Sequence, residues 1–143
     1  MMRKERVIFI ILVFVLIGLL AFSFSVFIKY DSGRGGISDN QVIEVIDGDT
    51  FKLYNGEIVR LICIDTPEKG SKGYDEAKEF LSSLVLDKEV RLEEDLEDKD
   101  VYGRSLRYVY AEEVFVNREL VQEGYASVFR YGNNTKRCGE IER

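Results

Sequence analysis

The chain has 143 residues and no histidine. That absence excludes Ser-His triads, histidine-based phosphodiesterases and His-ligated zinc, so acid–base chemistry must rest on carboxylates and any metal is a hard, oxygen-seeking one. The 26 acidic residues outnumber the 20 basic ones, for a net charge of −6, which argues against a broad basic footprint for nucleic acid.

Residues 1–6 carry Arg3, Lys4 and Arg6, and an uncharged, mostly apolar run follows from Val7 to Ile28, closed by Lys29. As a helix, 7–28 would span ~33 Å, enough for a bilayer core. Basic residues ahead of it favour a cytoplasmic N-terminus with the rest of the chain outside. Two readings stand: an uncleaved signal anchor, or a signal peptide cleaved after the small-x-small string Ala21-Phe22-Ser23. The length of the run favours the anchor. Residues 29–40, rich in glycine and serine, read as a linker. What remains, 41–143, is one small domain with one core.

Gln41 to Ile46 reads as a strand, interrupted by Asp47-Gly48-Asp49. Thr50 to Tyr54 reads as a second. Asn55-Gly56 is a hairpin signal, and Glu57 to Ile64 is a third strand, which completes a meander. Tyr74 to Leu86 reads as a helix, with Ala77, Phe80, Leu81, Leu84 and Val85 at helical spacing. Glu89 to Leu92 and Ser105 to Ala111 are the fourth and fifth strands, with Val114 to Val116 following a turn. Asn117 is positioned as the N-cap of a short helix that ends before Gly124. Tyr108 and Tyr110 read as core or edge packing. The fold class is mainly β with helices: a five-stranded antiparallel OB-fold barrel with one helix between strands three and four, preceded by a transmembrane helix.

From Tyr30 onward, 16 Lys and Arg face 25 Asp and Glu, a net charge of −9. Much of the excess lies in Glu93 to Asp100, which reads as a solvated loop, with a secondary cation site as the alternative. The two cysteines are Cys63, in an apolar strand, and Cys138. An extracytoplasmic location permits a disulfide, and the sequence leaves open whether they meet.

Asp47, Asp49, Asp65 and Glu68 cluster near two strand ends. Like charges so close need a cation or arginines to neutralise them. A calcium ion takes six to eight oxygens of this kind, and the planar forks of Arg60 and Arg104 suit phosphate oxygens. Phosphodiester hydrolysis uses all of these parts. Alternation puts Arg60 and Asp65, five apart, on opposite strand faces, so a shared site requires the strand to bulge or end near Ile64.

Three strings in order resemble the staphylococcal-type thermonuclease family: Val45-Ile46-Asp47-Gly48-Asp49-Thr50, Arg60-Leu61-Ile62-Cys63-Ile64-Asp65-Thr66-Pro67-Glu68, and Tyr102-Gly103-Arg104-Ser105-Leu106. Gly124-Tyr125-Ala126 and Asn133-Asn134-Thr135 add weaker matches. The resemblance implies an OB-fold that cleaves DNA and RNA with calcium and leaves 3′-phosphate ends. It implies Asp49, Asp65 and the Thr66 carbonyl as calcium ligands, with Asp47 supporting. By the same resemblance Glu68 is the general base, Arg60 and Arg104 hold the scissile phosphate, and Tyr102 holds a substrate phosphate. Tyr131 is the candidate aromatic beside the substrate. Val101 stands where the family often has lysine, which implies one phosphate contact fewer. The family continues into a further packed helix where this chain has Lys136 to Arg143. The expectation is therefore a calcium-dependent nuclease of low sequence specificity, monomeric, membrane-anchored and outward-facing or secreted. The rival expectation is a non-catalytic OB-type nucleic-acid-binding or calcium-binding membrane-anchored module.

Overall fold

Two turns build the first layer. In the computed structural model, which describes Phe14, Val15, Ile17 and residues 37–143, β1 (Val42–Asp47), β2 (Thr50–Leu53) and β3 (Ile58–Leu61) form an antiparallel meander. Gly56 takes φ 90° in the second turn, a left-handed conformation that costs a residue without a Cβ nothing. The chain then breaks at Ile62-Cys63 and re-forms as the short β4 (Ile64–Asp65). Helix α1 (Tyr74–Val85) leads to β5 (Val90–Glu93), and β6 (Ser105–Ala111) turns into β7 (Val114–Phe115). Helix α2 (Val116–Gln122), β8 (Ser127–Val128) and α3 (Cys138–Ile141) complete the order.

The main sheet runs β1-β2-β3-β6-β5 with β7 beside β6, while β4 and β8 pair as a separate ribbon. It differs from the expected antiparallel barrel in one decisive pairing. β3 and β6 are parallel, with Val59 beside Ser105 and Leu61 beside Arg107. The reason is the route between them: α1, β5 and the segment 94–104 carry the chain back to the end where β3 began. β1 and β5 meet at a single bridge, Gln41–Glu89, flanked by main-chain bonds from Val42 to Lys88 (2.9 Å) and from Val90 to Asn40 (3.1 Å). The sheet therefore curls in the OB manner but has no ladder closing it, and the closed five-stranded barrel is replaced by this open form.

Phe51, Leu53, Val59, Leu61, Tyr108, Val109 and Leu120 are fully buried in the core. Helix α1 covers them with Ala77, Leu81 and Val85, spaced four apart along one stripe. Each fully buried aliphatic or aromatic side chain contributes ~1.5–3 kcal/mol. Tyr110 stacks on Phe115 at 4.7 Å, so both tyrosines of β6 pack as expected.

Asn117 is not the N-cap that its position predicts. The helix begins at Val116 with Phe115 as its cap residue, and Asn117 is fully buried. Its Oδ1 accepts from the Val109 N–H (2.9 Å) and its Nδ2 donates to the Ile62 carbonyl (2.9 Å). The amide thus acts as a strand fragment at the point where β3 loses its ladder, satisfying main-chain groups that would be costly to bury unpaired.

Cys63 and Cys138 form a disulfide across a sequence separation of 75. Closing so long a loop stabilises the fold by roughly 4 kcal/mol through the unfolded chain. It also holds α3, a four-residue helix too short to persist alone, whose Cys138 and Ile141 are fully buried. The expected membrane segment 7–28, its cleavage site and residues 29–36 of the linker lie outside the described residues, save Phe14, Val15 and Ile17. Among the described residues no helix is long and apolar enough to cross a membrane.

Candidate active site

The break after β3 resolves the alternation problem. Cys63 takes φ 63°, a left-handed conformation uncommon for a residue with a side chain, and the strand phase resets before β4. The break falls at Ile62-Cys63, just ahead of the Ile64 position that the spacing predicts. Arg60 and Asp65 consequently face one another. Nη2 of Arg60 lies 3.0 Å from Asp49 Oδ2 and 3.4 Å from Asp65 Oδ1. The same nitrogen donates to the Ile64 carbonyl (3.1 Å), and Nη1 donates to the Leu61 carbonyl.

Asp49 sits at the end of the first turn and is buried. Its Oδ1 accepts from the Thr50 hydroxyl (2.9 Å) and its Oδ2 from the Thr66 hydroxyl (3.0 Å). Its own N–H donates to Asp47 Oδ1 (3.2 Å), which ties the two acids into one turn. Burial pushes the Asp49 carboxyl up to about 6, with Arg60 opposing the rise and Asp47 adding to it. Gly48 is demanded by proximity. A Cβ there would lie 2.8 Å from Thr66 Oγ1 and 2.9 Å from the Ala77 Cβ, so the turn packs directly under Thr66 and α1.

Asp47, Asp49, Arg60, Asp65, Thr66, Glu68 and Arg104 all line one cleft of about 430 Å³. Glu68 is exposed, in the loop after Pro67. Arg104 enters from the Tyr-Gly-Arg turn and is held by Asp100, whose Oδ2 accepts from Nε at 2.7 Å. Tyr102 and Tyr131, both exposed, line a second cleft of about 460 Å³ that shares Arg60 and Arg104 with the first. Arg60 and Arg104 are therefore common to an acidic cleft and an aromatic one. Phe129 lines the aromatic cleft as well and stacks beside Tyr131, at 6.3 Å.

The donors suit a hard cation in kind. Asp49, Asp65 and Thr66 supply oxygens, and a buried carboxylate needs a positive partner, a place Arg60 takes in this structure. Among the described residues no group of three or more Asp, Glu or Cys side chains converges to hold a metal unaided. Further oxygens would have to come from main-chain carbonyls and water, which calcium accepts and zinc does not favour.

The acidic run from Glu93 to Asp100 is largely a loop with Glu94, Leu96 and Asp98 exposed, as composition predicts, but several of its carboxylates are paired. Glu93 pairs with Lys136 (2.8 Å) and Arg137 (3.1 Å), Asp98 pairs with the buried Arg107 (2.6 Å), and Asp100 pairs with Arg104. Asn134, buried, clamps the main chain of Glu97 through both ends of its amide, at 2.7 and 2.9 Å. Asp100, and the contacts that Asn117 and Asn134 make, escape a reading by residue pattern. Only Asp100, four residues before Arg104, carries a signal that could have found it.

A small, curled, OB-like domain whose cleft joins two arginines to several carboxylates defines the class. Residues 58–143 match the family described as Staphylococcal nuclease homologue, and the chain belongs to that family. It is 37% identical over 112 residues to a thermonuclease of Staphylococcus hyicus, covering 72% of this chain and 66% of that one. To a thermonuclease of Staphylococcus intermedius it is 40% identical over 104 residues, covering 66% of this chain and 62% of the relative. With the SPbeta prophage-derived endonuclease YokF of Bacillus subtilis (strain 168) the identity is 37% over 109 residues, 68% of this chain and 37% of the relative. The chain thus spans less than two thirds of each of these relatives.

Proposed function

We propose that this protein is a calcium-dependent phosphodiesterase that hydrolyses DNA and RNA with low sequence specificity and leaves 3′-phosphate ends. The observation that carries the reading is the meeting of Arg60, Arg104, Glu68 and the Asp49–Asp65 pair in one cleft. The relatives named thermonuclease and endonuclease support the class of reaction.

Asp49, Asp65 and the Thr66 carbonyl are the residues that would hold calcium, with Asp47 braced behind Asp49. When bound, the ion supplies positive charge beside the reacting phosphate and polarises a nearby water. Glu68, an exposed residue of the cleft lining, takes a proton from the attacking water as general base. Attack is in line on phosphorus and the 5′ oxygen leaves. Arg60 and Arg104 bind the non-bridging oxygens with their forks and favour the charge that builds there. Tyr102 contacts a neighbouring phosphate and Tyr131 lies against the substrate from the second cleft. Specificity is low because these groups address the backbone rather than base edges.

The acidity of the domain does not oppose this reading, because two arginines line both clefts. By the sequence reading of residues 7–28, the domain is anchored to a membrane and faces outward, or is released by cleavage, and acts as a monomer. The test is cleavage of single-stranded DNA by the purified chain with calcium or with excess chelator, with end-group analysis and circular dichroism of the same sample. Calcium-dependent cleavage to 3′-phosphates is the expected result. A folded chain that binds calcium or DNA without cutting would replace the reading with a binding module.

A further inference from the structure

We propose that the Cys63–Cys138 bridge makes the segment 133–138 a positioning element that holds Arg60 and Arg104 at their working separation, an inference that rests on the hydrolysis proposed above. The segment has a grip on both arms of the cleft. Cys63 occupies the kink that turns Arg60 and Asp65 to one side, and Cys138 opens α3 at the other end of the bridge.

The second arm is reached through hydrogen bonds. Asn134 clamps the Glu97 main chain, and the Lys136 N–H donates to Asp95 Oδ2 at 3.0 Å. The Arg137 N–H donates to the Tyr108 hydroxyl (3.0 Å), which donates in turn to Asp95 (2.9 Å). Arg137 also places its guanidinium on Glu93. These contacts fix the strap from Glu93 to Asp100, whose last residue holds Arg104.

The bridge is the covalent tie in this arrangement, beside the Asn134 clamp and the buried Ile141 side chain. A four-residue helix has no stability of its own. The ladders of β1, β2, β3 and β6 and the stripe of α1 do not pass through the segment. Opening the bridge is therefore expected to loosen the segment, the strap and the kink while the folded sheet persists. Two catalytic side chains on separate elements would then lose their common reference.

The test compares the full chain oxidised and after reduction by a dithiol. The dithiol passes two electrons and two protons to Cys63 and Cys138, giving two thiols, and itself closes to a cyclic disulfide. Three readouts are taken at low temperature with calcium present: far-UV circular dichroism, kcat and KM on single-stranded DNA, and the Nε–H resonances of Arg60 and Arg104. The expected result is unchanged dichroism, displaced or broadened arginine resonances and a fall in kcat of roughly 10²-fold, the scale of a misplacement of about 1 Å. KM should rise by much less, reoxidation should restore the rate, and Cys138→Ser should sit at the reduced level regardless of dithiol. Equal rates and unmoved resonances would overturn the proposal. So would dichroism lost in step with the rate, which would make the bridge a stabilising link only. An oxidised chain that is folded but inactive would sink the nuclease reading, and the arginine resonances alone would then decide the positioning claim.

Discussion

Asp100 grips Arg104 at both ends of the residue: Oδ1 accepts from its main-chain N–H at 3.0 Å and Oδ2 from its Nε at 2.7 Å. Oδ1 also accepts from the Tyr102 N–H. Burial works to raise the Asp100 carboxyl, and the bonds from Arg104 and Tyr102 outweigh it, so the group stays below its ordinary range. Pairing through Nε leaves the two terminal nitrogens of Arg104 to present a fork to the cleft. Asp100→Ala should therefore lower kcat by roughly 10- to 10²-fold, less than the roughly 10²- to 10³-fold cost of removing a transition-state donor outright. Because both side chains act as one unit, adding Asp100→Ala to Arg104→Ala should cost little more than Arg104→Ala alone. Additive losses in that double variant would assign Asp100 a separate role.

Glu68 differs from Asp49 in being exposed and free of an ion pair among the described residues, which suits a group that must accept and release protons. Glu68→Gln preserves shape and removes the base. Hydrolysis should fall by roughly 10²- to 10⁴-fold, the usual worth of a positioned base, while the thermal shift induced by calcium stays as in the wild type. A variant that cuts at the wild-type rate would remove Glu68 from its assigned role.

The tight packing of Gly48 makes a prediction about the acid turn. An alanine there would push on Thr66 Oγ1 and the Ala77 Cβ, one a partner of Asp49 and the other part of the α1 stripe. Since neither neighbour is a flexible chain end, Gly48→Ala should destabilise the fold by about 1–3 kcal/mol, as overpacking does. Calcium binding should weaken as well, because the Thr66 bond to Asp49 is disturbed. Thermal melts with and without calcium would register both effects, and an unchanged melt would show that the turn can give way.

What could be read from residues alone followed local periodicity. Asp-Gly-Asp and Asn-Gly placed the first two turns, the stripe of Ala77, Leu81 and Val85 placed α1, and β6 spans the expected Ser105–Ala111. Asp47, Asp49, Arg60, Asp65, Thr66, Glu68 and Arg104, all named from their strings, line one cleft. The parallel pairing of β3 with β6 joins residues about 46 apart, and no local pattern specifies such a partner. β4 and β8, at two residues each, have no period to detect. The left-handed turn at Cys63 uses a residue that rarely adopts it, so the kink joining Arg60 to Asp65 left only an inconsistency in the alternation. The ion pairs of the acidic strap were hidden because charge counts cannot show that Arg107, Lys136 and Arg137 lie opposite it.

That strap also sets an acid limit on stability. Hydrogen bonds from Lys136 and Arg137 hold the Glu93 carboxyl at about 2, well below its ordinary 4.5. A carboxyl lowered in the folded state binds protons more weakly there than in the unfolded chain, so its stabilising contribution is complete above pH 4.5 and is lost as pH falls towards 2. Glu93→Gln removes the titrating group and keeps its size. The melting temperature of the wild type should exceed that of Glu93→Gln by a constant margin above pH 4.5, and the margin should shrink steadily between pH 4.5 and 2. Because Glu93 anchors the strap that ends at Asp100, the variant should also show lower cleavage at neutral pH. A margin that does not change with pH would mean that the ion pairs at Lys136 and Arg137 do not persist in solution.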